Sequence, residues 1–426
     1  MSDKDGKPSP ASKRVLIVSY YWPPSGGGGV QRWMKFAKLL PDEGWTPLVA
    51  TPSNPDHPVA DASLNAEVAD VETWRFPIWE PSRTLQAWGV GGQGRLGAER
   101  RGQGSLLSRM AKWVRGNMFV PDARVTWVKP TTKALVRKLK EQPVDLVVTT
   151  GPPHSMHLVG LGLKRALGVP WIADLRDPWS DMDYLDTFAV SPKVRARIRA
   201  MEQEVVQASD QVLVTSPGAL DTLQPKGNKG VVLTNGWDRE DFDEKPPKGE
   251  SDTQALGHFG ALYGARNTPA LWRALGGVRG QWTLRLGGQV ADEVREGLVQ
   301  SGAEVQLLGD MPHRESVQAM RQCDALLVIH NDSDSAKRST PGKMFECLAS
   351  GLPVLVVGPG NSDLAAICEA WGFAFVAHGD PDIQAKAMQF LADLPKATAR
   401  PDLVATYERR ALTAQLARLM DECVER

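Results

Sequence analysis

The chain has 426 residues, enough for two or three domains and a large core, and its 50 Lys and Arg balance 50 Asp and Glu. A net charge of zero with 23% charged residues excludes a dedicated nucleic-acid binder and a globally disordered chain. The four cysteines, Cys323, Cys347, Cys368 and Cys423, form no Cys-x-x-Cys pair, which suits buried thiols of a reducing compartment better than a metal site or a disulfide framework.

Residues 1–13 are polar and carry two prolines. They lack the apolar core of a signal peptide and are expected to form a disordered tail. No apolar run reaches membrane-spanning length, so the expected location is cytoplasmic. Short runs rich in Val, Ile and Leu predict strands at 15–19, 47–51, 71–76, 146–150, 171–174, 212–215 and 231–234. Helical patterns at 30–40, 128–140, 155–167 and 192–208 lie between them. Strands buried on both faces and spaced by helices make a parallel, doubly wound sheet. This organises residues 14–240 as one α/β domain. Residues 241–253 are charged, proline-bearing and without apolar periodicity, as expected of a linker. The pattern restarts with strands near 256–260, 282–287, 305–308, 325–329, 354–357 and 373–376, a second α/β domain over 254–400. A last helical stretch, 403–423, could pack across the domain boundary. Ligands of open α/β sheets bind outside the carboxyl ends of the strands, so two such domains would share a cleft.

The most informative segment is Thr340-Pro341-Gly342-Lys343-Met344-Phe345-Glu346. Thr340 suits a helix N-cap and Pro341 the first helical position. Gly342 permits close backbone approach, and the free N–H groups of a first turn form an anion site. Lys343 adds charge at that end, and Glu346 lies about 4.5 Å further along the same face. The segment is either an amphipathic core helix with a solvated Lys–Glu pair or a site holding a phosphate at its end and hydroxyls at Glu346. Ser339 precedes it.

The first strand runs into Gly26, Gly27, Gly28 and Gly29, a turn whose backbone can meet phosphate or sugar but which does not fit the dinucleotide fingerprint, because Gln31 and Arg32 stand where its third glycine would be. Asp174-Leu175-Arg176-Asp177-Pro178-Trp179 follows another strand. One carboxylate there could orient an acceptor hydroxyl or take its proton while the other pairs with Arg176, or both could simply close a loop. His154 sits at the tip of a further turn, where a helix-start hydrogen bonder and a base are both open readings. In the second half Tyr263 and Arg266 lie in a strand-to-helix turn, and Arg266 stands where a diphosphate partner would be useful. Asp181 with Asp183 and Asp332 with Asp334 are acidic pairs of a kind common in loops, and no metal or other cofactor is expected. Residues 95–141 hold twelve Lys and Arg against three acids. Trp113 and Met110 interleave there with Arg109, Lys112 and Arg115. This suits a helix on anionic lipid or a solvated helix packed on its own domain.

Together these motifs resemble glycosyltransferases of the GT-B fold, in the bacterial family 4-like group. The carriers are Tyr21 through Gly27, Thr150 through Ser155, Asp174 through Trp179, Asn235-Gly236-Trp237-Asp238 and Pro341 through Glu346. The resemblance implies two Rossmann-like domains facing across a cleft. It also implies transfer of a hexose or derivative from a nucleotide sugar to a glycan or lipid-linked hydroxyl in cell-surface polysaccharide synthesis, with retention and without a metal. Glu346 would then hold the ribose, with Gly342, Thr340, Ser339 and Tyr263 on the donor side. Lys343 and Arg266 would stabilise the departing diphosphate. Asp177 would orient the acceptor, with His154 and Arg176 beside it. Two departures stand out. Arg338 replaces the first of the family's paired glutamates, and Asp177 stands where many members have histidine. A nucleotide-sugar epimerase and a non-catalytic sugar-nucleotide-binding protein are the alternatives.

Overall fold

The computed structural model describes residues 12–56, 60–80, 106–243, 252–395 and 400–426. Seven parallel strands build the first sheet: β1 (Lys13–Val18), β2 (Trp45–Pro52), β3 (Glu72–Phe76), β4 (Leu146–Thr150), β5 (Trp171–Arg176), β6 (Gln211–Val214) and β7 (Gly230–Val232), in the order β3-β2-β1-β4-β5-β6-β7. The second has six: β8 (Gln254–Phe259), β9 (Trp282–Gly287), β10 (Val305–Gly309), β11 (Ala325–Ile329), β12 (Val354–Gly358) and β13 (Ala374–Ala377), in the order β10-β9-β8-β11-β12-β13. These are the two Rossmann-like domains of the GT-B architecture.

Alternation along each strand feeds a core on both faces of its sheet. Val15 and Ile17 of β1 join one cluster, while Leu16 and Val18 join the other. In β11, Leu327 and Ile329 face one way and Leu326 and Val328 the other. Helices cover these faces, among them α1 (Gly28–Leu39), α2 (Leu106–Met118), α3 (Val125–Glu141), α4 (Ser155–Leu167), α5 (Pro192–Ala208), α6 (His313–Arg321) and α7 (Lys343–Ser350). The chain ends in α8 (Pro401–Thr406) and α9 (Arg409–Glu425). From α9, Leu412, Leu416, Ala417, Met420 and Cys423 pack on the Val15 and Ile17 face of the first sheet, so the last helix returns to the amino-terminal domain.

Three expectations change. Lys13, placed in the tail, opens β1, while residues 1–11 of that tail lie outside the described residues. The stretch read as one helix at 403–423 is broken at Tyr407 and Glu408, because Trp237 pairs with Glu408 there: Trp237 N donates to Tyr407 O, and Arg409 N donates to Trp237 O. Of the expected linker, Asp241 closes a 3-10 turn (Arg239–Asp241) and residues 244–251 lie outside the described residues. Strand order reverses between β1 and β4 and between β8 and β11. Ligands of such sheets bind at these switch points. The glycine turn follows β1, His154 follows β4, Arg266 follows β8, and His330 with Asn331 follows β11.

Candidate active site

On the second domain the site is built around the start of α7. The helix begins at Lys343 with Gly342 at the cap position and no side-chain cap. Thr340 is therefore not the N-cap expected of it. Its hydroxyl is buried and has no hydrogen-bond partner among the described residues, three residues before the first helical residue, at the entrance to the candidate anion site. The Lys343 stem packs on Gly260, where a Cβ would come 3.2 Å from Lys343 Cε. Among the described residues its ammonium has neither a carboxylate nor a hydrogen-bond partner. Arg266 is held by Asn331: Nε donates to Asn331 Oδ1 at 2.8 Å, Nη1 to Ala261 O at 2.9 Å, and the guanidinium lies 4.9 Å from the Tyr263 ring centre. The Tyr263 hydroxyl donates to the same Oδ1 at 3.1 Å. These contacts orient Arg266 without neutralising it. Both cations line a small cavity of about 40 Å³, together with His258, Gly260 and Pro341 and the apolar Phe259, Met320, Leu326 and Cys347. Burial, with Arg266 and Lys343 nearby, pushes His258 down to about 3, so it stays neutral. Ser339 Oγ meets His330 Nε2 at 3.0 Å, and burial lowers that imidazole to about 4.

Glu346 lies one turn into α7, mostly buried, 3.6 Å from His313 Nε2. The same nitrogen is 3.2 Å from Asp241 Oδ2 at the domain connection. Burial opposes charge on His313, but Glu346 and Asp241 outweigh it and raise its pKa. Arg338, in place of the family's first glutamate, turns toward the first domain. Its carbonyl accepts from Ser216 Oγ at 2.6 Å and its guanidinium is 3.8 Å from Asp181. The acidic pairs are engaged in similar ways: Asp183 accepts from Ser335 Oγ at 2.6 Å, and Asp334 from Lys337 Nζ at 2.6 Å.

On the first domain, Gly27 has φ +83° immediately before α1, a conformation that favours glycine. At Gly27 and Gly28 a Cβ would meet nothing within 4 Å, so this turn is open toward the cleft. Asp174 and Asp177 do not bracket Arg176 as a matched pair. Asp174 is sealed away, bidentate to Arg32 at 3.0 and 3.1 Å, and it also accepts from Trp33 Nε1 at 2.6 Å and Thr150 Oγ1 at 3.0 Å. Its principal partner is Arg32, and Arg176 Nε stands off at 3.7 Å. Arg176 adopts φ +62° and donates from Nη2 to Gly29 O at 3.2 Å. That contact ties the β5 turn to the glycine turn. Asp177 keeps a buried Oδ1 that has no hydrogen-bond partner among the described residues. Burial raises its pKa to about 6, against the pull of Arg176.

His154 is buried, and among the described residues neither ring nitrogen is hydrogen-bonded, so it does not act as a helix-start hydrogen bonder there. Its ring lies 5.0 Å from Trp179 and 6.4 Å from His157. Burial lowers His154 to about 4 and His157 to about 3. Trp171 Nε1 donates to Thr149 Oγ1 at 2.9 Å, and Thr149 Oγ1 meets His157 Nδ1 at 2.9 Å. The threonine hydroxyl thus bridges the indole and the imidazole. Among the described residues neither His157 Nε2 nor Trp179 Nε1 has a hydrogen-bond partner. The sequence reading missed His157, Trp179, Arg32, His258, His313 and Asn331. His157 was visible as the second histidine of His154-Ser155-Met156-His157, but the others acquire their partners only through tertiary packing.

Residues 27–236 match the family model of the glycosyl transferase 4-like domain. No curated protein matches the chain significantly by sequence. Among solved structures, Anabaena HepE in complex with UDP and glucose is 15% identical, with 96% of this chain and 100% of that chain covered and a TM-score of 0.64. A Listeria monocytogenes protein provisionally named a UDP-N-acetylglucosamine 2-epimerase is 13% identical over 98% of each chain, TM-score 0.57. The lipopolysaccharide outer core galactosyltransferase WaaB, in its apo form, is 12% identical over 96% of this chain and 99% of that chain, TM-score 0.57. At such identities the structures speak for the fold, and the family model speaks for the kind of enzyme. The chain has the GT-B fold, and its residues 27–236 carry a glycosyl transferase 4-like domain, the mark of a glycosyltransferase.

Proposed function

We propose that the protein moves a hexose or hexose derivative from a nucleotide sugar to a hydroxyl of a glycan or glycolipid acceptor in cell-surface polysaccharide synthesis, with retention and without a metal. The observation that carries this reading is a pair of cations lining one cavity beside the start of α7, Lys343 and Arg266, neither with a carboxylate partner among the described residues, with Glu346 one turn further on. A sugar nucleotide offers a diphosphate for the first two and ribose hydroxyls for the third. HepE holds UDP and glucose, and WaaB belongs to lipopolysaccharide synthesis. The first is in line with a sugar-nucleotide donor and the second with a surface-glycan acceptor.

In this reading the bond between the anomeric carbon and the diphosphate oxygen breaks, and its electron pair leaves with the nucleotide. Lys343, Arg266 and the N–H groups of the first turn of α7 stabilise that charge as it develops. The bond to the acceptor oxygen forms on the same face. Asp177 orients the acceptor hydroxyl and can take its proton, its raised pKa lying close to the useful range. Arg176 links this carboxylate turn to the glycine turn at Gly29.

The first experiment is a thermal-shift panel of nucleotide sugars, followed by transfer of the labelled sugar from whichever donor binds. A ligand of the folded state raises its stability by mass action. Glu346→Ala should weaken that donor about 10- to 100-fold, the scale of one charge-assisted hydrogen bond. Unchanged donor affinity removes the ribose assignment. Interconversion of donor isomers without any acceptor would move the protein to the epimerase class.

The second proposed contact is an anionic membrane surface. On α2, Met110, Trp113 and Met118 are 58%, 51% and 68% exposed, and Trp79 beside Phe119 is 58% exposed. Arg109 and Lys112 lie on the same helix. α2 also packs on its own domain through Gly116 and Asn117, against Phe188 and Ala189. Residues 95–105 of the basic stretch lie outside the described residues. Among the described residues no helix is long and apolar enough to cross a membrane.

A further inference from the structure

Arg409 opens α9 at the break after α8. Its backbone N–H donates to Trp237 O at 2.9 Å, on the segment that crosses between the domains. The approach is close: a Cβ on Gly236 would come 2.4 Å from Tyr407 O. Arg409 is thereby fixed where the two domains meet. It is only 6% exposed. Its guanidinium lies 5.7 Å from the centre of the Phe36 ring, and the Arg32 guanidinium lies 5.3 Å from the same ring.

Each of the three guanidinium nitrogens of Arg32 has an acceptor, from Asp174, Leu233 O or Thr234 O. The same does not hold for Arg409. Among the described residues no carboxylate lies within 4 Å of it, and its Nη1 is buried with no acceptor. The carboxylates whose charge reaches it from either side are already occupied. Asp238 takes Lys35 Nζ at 2.7 Å and Glu240 N at 3.1 Å, and Glu346 faces His313. Arginine has five N–H donors and stays charged in proteins, so a buried guanidinium without acceptors is unfavourable unless something else supplies them.

We propose that Arg409 is a binding residue for a phosphate-type oxyanion at the floor of the cleft between the two domains. The planar fork of arginine matches phosphate oxygens in pairs, and Arg176 contributes a second positive charge nearby. The proposal extends the sugar-nucleotide reading and adds a residue from the carboxyl-terminal arm. The oxyanion is either the donor diphosphate or a phosphate carried by the acceptor.

A structural arginine and a ligand-binding one respond oppositely to loss of charge. Arg409→Gln and Arg409→Lys are compared with the parent by thermal unfolding without ligand and by calorimetric titration with inorganic pyrophosphate, UDP and uridine. Arg409→Gln should leave the ligand-free melting temperature unchanged or higher and weaken pyrophosphate binding about tenfold or more, with Arg409→Lys in between. A parallel loss for UDP but not for uridine assigns the anion to the donor. Loss of a pyrophosphate site that the parent retains when saturated with UDP assigns it to the acceptor. Unchanged binding of pyrophosphate and UDP by Arg409→Gln, no pyrophosphate binding by the parent, or loss of stability in both variants without ligand would each overturn the proposal. Glu346→Ala should weaken UDP but not pyrophosphate. A parent that binds pyrophosphate but no nucleotide sugar of the panel sinks the sugar-nucleotide reading while leaving this one standing.

Discussion

At the residue scale the site is marked by polar groups that the protein itself leaves unsatisfied. Lys343 stands at a helix N-terminus, where a cation opposes the helix dipole, and no carboxylate compensates it among the described residues. A helix serving only the fold would do better with an acid there. Lys343→Ala should therefore leave ligand-free thermal stability nearly unchanged while reducing transfer about 100-fold or more, the scale of losing one transition-state charge partner. Full transfer rate in the variant, or loss of its fold, would remove the phosphate assignment. Asp177 carries a comparable cost. Its folded pKa of about 6 lies above the model-compound value of 3.8. A carboxyl shifted upward contributes stability below its unfolded pKa and loses it as pH rises through the folded value. At pH 7 the buried carboxylate is therefore a net burden, on the order of 1–3 kcal/mol. Asp177→Asn should raise the melting temperature at pH 7, show a gain that shrinks between pH 6 and 4, and slow transfer. Equal stability of parent and variant at pH 7 would show that the carboxylate is not held at that cost.

At the element scale, most strands and helices were legible because apolar runs are bounded by turn residues. β4, β9, β11, α4 and α5 occupy the ranges their periodicity predicts. The discrepancies have physical causes. α1 starts at Gly28 and not near 30, because Gly27 supplies the turn with its positive φ and the next two glycines then enter the helix. Thr340 matches the composition of an N-cap, yet Pro341 and Gly342 form a turn that delays α7 and strands the hydroxyl. The site motifs were legible as strand-end turns, but their internal pairing was not. Nothing local says that Asp174 is consumed by Arg32 from another element, which leaves Asp177 as the available carboxylate. α2 carries its own prediction. Its exposed Met110, Trp113 and Met118 beside Arg109 and Lys112 should make the protein float with anionic liposomes and release at high salt, where exposed charge is screened. Trp113→Glu should lower that recovery several-fold without changing transfer to a soluble acceptor. Equal recovery on neutral and anionic vesicles leaves α2 a packing helix only.

At the scale of the whole molecule, the two domains are tied by a clamp that touches the candidate nucleotide site. The crossing segment is gripped by the carboxyl-terminal arm through Trp237 with Tyr407 and through Arg239 with Glu408 at 2.9 Å. Just beyond it, Asp241 meets His313 at the start of α6, and His313 in turn faces Glu346. One imidazole therefore joins the domain connection to the carboxylate proposed to hold the ribose. Two carboxylates raise its pKa against burial and the nearby Lys343. A histidine with a raised folded pKa contributes stability that is fully present below its unfolded value, near 6.5, and is lost as pH rises through the folded value. The buried histidines at 154, 157, 258 and 330 are shifted the other way. Their contribution is present above 6.5 and is lost in acid, so the parent's pH profile mixes both trends. The difference between parent and His313→Gln isolates the clamp. The parent should be the more stable at pH 6, and its advantage should shrink as pH rises from 6 to 8, as measured by urea unfolding at each pH. A difference that stays constant over that interval would mean that His313 is not charged in the fold, and that the connection between the domain crossing and Glu346 is one of packing alone.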